Sequence, residues 1–374
     1  MHIHVSRASP RAIAAQAVLL VALGLGFWFL VRMASVNLAD RNLNFGFSFL
    51  AARAGFDIPF KLVEQTPNSS YGWALWVCVL NTLLAAGLGI GVATVLGLGL
   101  GIMRLADNWL VRNAALSVVE VIRNTPQLLQ IIFWYVAVLQ ALPPPRAGMQ
   151  LPGGAILSVR GLNLPTLHFG PYALLAALGF LAALVLALWL WLHGRRQPVL
   201  RTVALVIPIA GLIPVLLSVD TITFPVLRGF NYTGGIVVPP ELLALVAGLS
   251  LYTSVFIAEI VRGSIEGIAK GQKEAAASLG LTKMQSLFLV VLPQALRLMV
   301  PQVTSQYLNL TKSTSLGAAV AYPELVQIFA GTVLNQSGRA IESMLLVMVI
   351  FLGINLTTSA FMNWYNRRVA IVER

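Results

Sequence analysis

Residues 172–192 read YALLAALGFLAALVLALWLWL, a run with no charge in it. About 20 mostly apolar residues are what a helix needs to cross the hydrocarbon core of a bilayer. In lipid every backbone polar group must be paired inside the structure, so such a run has little to become except a helix. Seven further segments have the same character: 12–31, 74–103, 114–140, 202–219, 241–261, 286–310 and 343–364. The chain is 58% hydrophobic and 10% charged, where a soluble domain is roughly a quarter charged. These observations predict an all-α integral membrane protein of about eight transmembrane helices, organised as one membrane domain with no clear internal repeat.

The net charge is +12. On a soluble protein such an excess points to nucleic acid; here the basic residues lie between apolar segments, which makes them orientation signals and excludes a nucleic-acid partner from the reading. With eight spans, one set of tails and connections carries fourteen basic residues, among them Arg7, Arg104, Arg112, Arg195, Arg196, Arg262, Lys270, Lys273, Lys283 and Arg374. The other set carries eight, spread over longer loops. The asymmetry predicts cytoplasmic termini and a cytoplasmic 262–285 loop. The first apolar segment follows Arg7 and Arg11 but exceeds the apolar region of a signal peptide, so it reads as a retained anchor. Cys78 stands alone in an apolar run and reads as a packing residue. His2, His4, His168 and His193 fall in tails or loops and suggest no metal site.

Two spans are irregular. Segment 114–140 holds Glu120, Arg123 and Pro126; segment 286–310 holds Pro293, Arg297 and Pro301. A mid-membrane Arg costs at least about 2.5–3.5 kcal/mol unless paired, wet or snorkelling. Glu120 and Arg123 share a helix face and are expected to pair, and both segments are expected to face the bundle interior, where freed carbonyls are tolerated. Gly87/Gly91 and Gly97/Gly101 are spaced for close helix packing. Residues 141–170, with PPP at 143–145, and 220–240 read as turn-rich external connections.

Residues 274–293, EAAASLGLTKMQSLFLVVLP, follow a polar, basic loop. Glu274–Leu279 is strong helix-forming sequence. Gly280 stands where a helix end wants a left-handed residue. Thr282 and Gln285 form a capping box for a second helix, running from Lys283 towards Pro293. On these residues alone the first helix is either a peg for a groove in another protein, its surface kept bare by Ala275, Ala276 and Ala277, or an ordinary helical turn.

The pattern of Glu274, Ala275, Ala276, Gly280, Val290, Leu292 and Pro293 resembles the signature loop of the membrane subunits of ABC importers. Three stretches, EVIRNTPQLLQ (120–130), LYTSVFIAEIVRGSIEGIAKGQKEAAASLGLT (251–282) and YLNLTKSTSLGAAV (307–320), look like the polar amino-acid permeases, the histidine/glutamate/glutamine/arginine group. The resemblance covers about 72–140 and 241–365. The extra N-terminal span and the hairpin at roughly 172–219 are similar to the larger subunit of the general L-amino-acid permeases.

The resemblance implies a type I ABC importer permease core with an added N-terminal span and an inserted helical hairpin. It divides the chain into an N-terminal part (1–71), a first core part (72–140), connections with the inserted hairpin (141–240), and a second core part (241–374) with the coupling loop at 263–285. It implies ATPase coupling through Glu274, Ala275, Ala276, Gly280, Leu292 and Pro293, and a substrate pathway near Thr125, Gln127, Gln130, Asn309, Lys312, Ser313, Thr314 and Ser315. The rival reading of the pathway residues is that they satisfy the backbone of broken helices. The implied partners are a dimer of ABC ATPase subunits, a second related permease subunit forming a heterodimer, a periplasmic amino-acid-binding protein and an L-amino acid, in a bacterial inner membrane. No GxxxxGK[ST] loop occurs in the sequence, so ATP and Mg are expected on the partner ATPase, with no cofactor and no catalytic residue on this chain. Ser313 stands where many members carry Asp, and Asn124 where Gly is common. The alternatives are an ABC permease for another small substrate such as methionine, an ion-gradient-driven secondary transporter, and a membrane scaffold.

Overall fold

The structure is a computed structural model that describes residues 10–40, 46–193 and 198–369. Arg7, Arg195, Arg196 and Arg374, which bear on the predicted orientation, and His2 and His4 lie outside these residues. Each of the eight apolar segments forms helix: α1 (Pro10–Asp40), α2 (Tyr71–Arg104), α3 (Trp109–Arg123) with α4 (Gln127–Ile132), α5 (Ala173–His193), α6 (Pro198–Leu217), α7 (Pro240–Glu266), α8 (Lys270–Ser278) and α9 (Lys283–Ser286) ahead of α10 (Leu292–Ser313), and, after the short α11 (Leu334–Ser337), α12 (Ala340–Val369). Four of these are long and apolar enough to cross a membrane as single helices, in α2, α7, α9–α10 and α12; four shorter apolar helices lie in α1, α4, α5 and α6.

The bundle is organised on α2 and α7. Gly97 and Gly101 of α2 lie on the α7 backbone: a Cβ at Gly97 would sit 2.6 Å from Ile257 Cβ, and one at Gly101 2.7 Å from Val261 Cβ. This is the close approach that small residues permit in membranes. Gly89 takes Leu310 of α10 in the same way, while the Ser250 hydroxyl donates to its carbonyl oxygen at 3.2 Å. Gly87 and Gly91 face open space, so half of the predicted glycine spacing packs helices and half does not. Between them α2, α7 and α10 bury Ala85, Ala93, Leu245, Leu249, Ile257, Ala295 and Leu310 in the main core.

A second joint ties α2 to the chain after α10. Asn81 donates to Phe60 and Pro323 carbonyls at 2.8 and 2.9 Å, Tyr322 donates to the Asn81 carbonyl, and Leu325 N–H donates to Thr82. Glu324 is fully buried, yet its two oxygens accept the backbone N–H groups of Val326 and Gln327 at 2.8 and 2.7 Å. It thus caps the π-helical turns at Val326–Val333, where the N–H groups of a first turn would otherwise be orphaned.

The 114–140 span is not one helix. It stops at Arg123 and restarts at Gln127, continuing through π turns at Phe133–Leu139. The expected Glu120–Arg123 pair does not form: Glu120 accepts from Asn124 at 3.3 Å, and the Arg123 guanidinium lies 6.0 Å from the Phe256 ring centre. Glu120, Arg123 and Arg297 are exposed on this chain rather than turned into its bundle. The prolines are tolerated through local repair of the backbone, so the charged faces need not turn inward. The ion-pair network lies at the ends of α2 and α7 instead, where Glu259 takes both Arg104 and, at 3.0 Å, Arg262, which also pairs with Glu266.

The turn-rich connections contain β structure. Strands β1 (Met149–Gln150), β2 (Ile156–Ser158), β3 (Gly161–Leu164), β4 (Thr166–Phe169), β5 (Val219–Thr223), β6 (Val226–Arg228), β7 (Asn231–Thr233) and β8 (Ile236–Val238) form three small antiparallel sheets. β4 pairs with β5 on either side of the α5–α6 hairpin, and β3 pairs with β8 further out, Leu162 opposite Val238. The inserted hairpin is therefore closed at its base by a strap of strands. Runs of two to five residues between Gly and Pro are too short for the period-2 signal to stand out in the sequence.

Candidate functional site

Two features sit on this frame: a projecting helix at one end of α7 and α10, and a polar cleft beside α4.

The helix is α8. It begins at Lys270, earlier than the sequence reading, and ends in a Schellman turn. Gly280 adopts φ +75°, its N–H donates to the Ala277 carbonyl at 2.9 Å, and Leu281 N–H donates to Ala276 at 3.1 Å. The predicted capping box follows: Gln285 N–H donates to the Thr282 hydroxyl, and Thr282 N–H to the Gln285 side chain at 2.9 Å. Such a cap is worth roughly 1 kcal/mol, and here it stops one helix and starts the next within four residues. Pro293 is accommodated by a π turn at Leu287–Val291, and Gln294 donates to the Val290 carbonyl at 2.9 Å.

The three alanines divide. Ala276 is buried and lets α8 lie flat on the bundle; Glu274, Ala275 and Ala277 are exposed, and Leu279 is 81% exposed. Leu279 escaped the sequence reading because its pattern singled out small residues. Leu292 and Pro293 lie at the start of α10, outside α8, and fix where the following helix begins. Lys273 donates to the Ile265 carbonyl of α7 at 3.5 Å, and Gln294 of α10 reaches Gln272 at the same distance. A push on α8 therefore reaches α7 and α10 together.

The cleft has a volume of about 440 Å³ and is lined by Gln127 of α4, Tyr252, Thr253 and Phe256 of α7, and Gln306, Asn309, Leu310, Lys312 and Ser313 of α10. Four of the eight pathway candidates, Gln127, Asn309, Lys312 and Ser313, meet in it. The other four are occupied by the backbone. Thr125 donates to Val121 at 2.8 Å, Gln130 to Ile122 and Thr125 at 3.0 and 3.1 Å, Thr314 to Thr311 and Ser315 to Lys312. For these four the repair of broken helices is what the geometry supports. Gln306 was missed, although Gln302, Gln306, Asn309 and Ser313 recur at helical spacing and mark a polar stripe on an apolar span. Tyr252, Thr253 and Phe256 carry no local signal. Lys312 is the one charged group lining the cleft and makes no ion pair among the described residues.

Comparison with known proteins accords with this architecture. The family of binding-protein-dependent transport system inner membrane components matches residues 178–371. The general L-amino acid transport system permease protein AapQ of Rhizobium johnstonii is 44% identical over 96% of this chain and 92% of its own length. The putative amino-acid ABC transporter permease protein YhdX of Escherichia coli is 44% identical over 90% of this chain and 88% of its own. The glutamate/glutamine/aspartate/asparagine transport system permease protein BztB of Rhodobacter capsulatus is 37% identical over 97% and 95%. The chain belongs to the family of binding-protein-dependent transport system inner membrane components. It is a multi-pass membrane protein and an inner membrane component of a binding-protein-dependent transport system.

Proposed function

We propose that this chain is the membrane-spanning permease subunit of an ATP-binding-cassette importer that passes L-amino acids across a bacterial inner membrane, with both termini in the cytoplasm. The observation that carries the reading is α8: a short helix ended by a Schellman turn, with a capping box starting the next helix straight after it, bearing Glu274, Ala275 and Leu279 outward and joined to α7 and α10. A partner ATPase dimer would grip it there. ATP and Mg would be bound by that partner, and the reading asks no catalytic group or cofactor of this chain. Closure of the ATPases would move α8, and through it α7 and α10, the two helices that form most of the cleft wall. The cleft would then face outward to receive an amino acid from a periplasmic binding protein and, after hydrolysis, inward. This is two-state alternating access biased by ligand. A second related permease subunit would stand beside this one.

Within the cleft, the Lys312 ammonium would hold the substrate carboxylate, while Gln127, Gln306 and Asn309 supply neutral donors and acceptors. With Ser313 where an Asp is common, the cleft lacks a fixed negative charge, which favours neutral and acidic amino acids over cationic ones. The names of the three relatives support amino acids as the substrate class. An ion-driven mechanism finds little here: Glu259 is taken by two arginines and Glu324 by two backbone N–H groups.

Affinity purification of the tagged chain from its native membranes tests the reading. A stoichiometric ATPase and a second permease subunit should come with it. Glu274→Lys and Gly280→Asp should leave the chain in the membrane while uptake falls at least about tenfold, and ATP hydrolysis should no longer track uptake. A chain that purifies alone, or normal uptake in both variants, would overturn it.

A further inference from the structure

A second cavity, of about 490 Å³, lies between the strand strap and the core, lined by Tyr135, Gln140, Val159, Arg160, Pro240 and Glu241. Its size is that of small-molecule pockets, and its walls carry opposite charges. Arg160, on the β2–β3 turn, has no ion-pair partner among the described residues. Glu241 lies in the first turn of α7. One of its oxygens accepts from the Tyr135 hydroxyl at 3.1 Å, and it too makes no ion pair among the described residues.

The turn carrying Arg160 is pinned. Val159 N–H donates to the Pro143 carbonyl at 3.0 Å, and Arg160 N–H to the Ser158 hydroxyl at 3.3 Å. Gly161 adopts φ +101° and lies so close to the end of β8 that a Cβ there would be 2.2 Å from the Val238 carbonyl oxygen. Only glycine tolerates both conditions, and the result holds the arginine turn against the start of α7. A guanidinium and a carboxylate therefore face one pocket from separate, braced elements without neutralising each other.

We propose that this pocket is an outer binding site for an α-amino acid zwitterion, distinct from the cleft at Lys312 and built jointly by the inserted strap and the core. The Arg160 fork takes the ligand carboxylate in paired charge-assisted hydrogen bonds, Glu241 takes the ammonium, and the Tyr135 ring, Val159 and Pro240 give the side chain an unselective apolar wall. The site rests on the amino-acid reading above and adds a first station on the extracytoplasmic side, where the incoming molecule is held by the groups all amino acids share.

Equilibrium dialysis of the purified transporter complex in lipid nanodiscs, without binding protein, tests this with radiolabelled L-glutamine, L-glutamate and L-alanine as probes. The wild-type complex should bind at two sites per copy of this chain. Arg160→Gln and Glu241→Gln should each remove one, weakening it at least about tenfold, while Lys312→Met removes the other. Arg160→Lys, which keeps the charge but loses the fork, should retain a weakened site. Should Arg160→Gln fail to assemble, Glu241→Gln reads the opposite wall alone. Unchanged stoichiometry in Glu241→Gln, or no second site in the wild type, overturns the proposal. Cellular uptake of the same probes is scored separately: uptake without a second site overturns only the outer pocket, and no uptake of any amino acid overturns the amino-acid reading itself.

Discussion

The two proline-broken spans look alike in sequence and are used differently. At Pro126 the helix stops and three of its polar neighbours are consumed in repair, leaving Gln127 to the cleft: Asn124 and Thr125 bond back to Glu120 and Val121, and buried Gln130 covers two carbonyls. At Pro301 the helix continues, and Gln302 and Ser305 each bond to a carbonyl four residues back. Beyond them Gln306, Asn309, Lys312 and Ser313 reach the cleft. A polar residue that can reach a carbonyl at the break belongs to the backbone; one that does not, such as Gln127 or Gln306, is available to a ligand. The physical reason is that an unpaired carbonyl in lipid costs several kcal/mol, so a donor that can reach one is drawn to it.

The largest test of this contrast is Gln130→Leu. It strips the Thr125 carbonyl of its donor and the Ile122 carbonyl of one of its donors at a helix break and should cost about 1–3 kcal/mol, read as a marked loss of heat stability of the purified complex. Gln306→Leu, on the other span, should leave that stability nearly unchanged. Equal losses in the two would erase the distinction. Lys312→Met should come next: uptake falls about thirtyfold for loss of one charge-assisted contact, with normal abundance in the membrane. Ser313→Asp sharpens the ligand side, shifting preference towards cationic amino acids by about tenfold; unchanged selectivity would remove Ser313 from the cleft wall. Thr125→Val should be smallest, at about 0.5–1 kcal/mol of stability, with uptake following only what the stability loss explains.

Much of the molecule was legible. Eight apolar segments became helices because lipid leaves the backbone one local solution. The stop at Gly280 and the start at Thr282 were legible because caps are made within a few residues. The candidate site was half legible. Gln127, Asn309, Lys312 and Ser313 do meet, but Tyr252, Thr253 and Phe256 join them only because α7 packs alongside α10. The expected Glu120–Arg123 pair failed although its spacing was correct: Glu120 takes Asn124, and Arg123 lies over the Phe256 ring instead. The strap escaped notice because its strands run only two to five residues and the pairings that close it join segments far apart, Leu162 with Val238 and Leu167 with Ile222.

By itself, then, the sequence determined which segments enter the membrane, where α8 ends and the next helix begins, and the signature by which the chain joins its family, all matters of local periodicity, capping and solvent. Tertiary structure alone decided which glycines touch α7, which polar side chains stay free beside a broken helix, and that Arg160 comes to face Glu241 across a pocket. Those outcomes hang on a competition among distant partners for space and hydrogen bonds, and local sequence carries no record of who wins it.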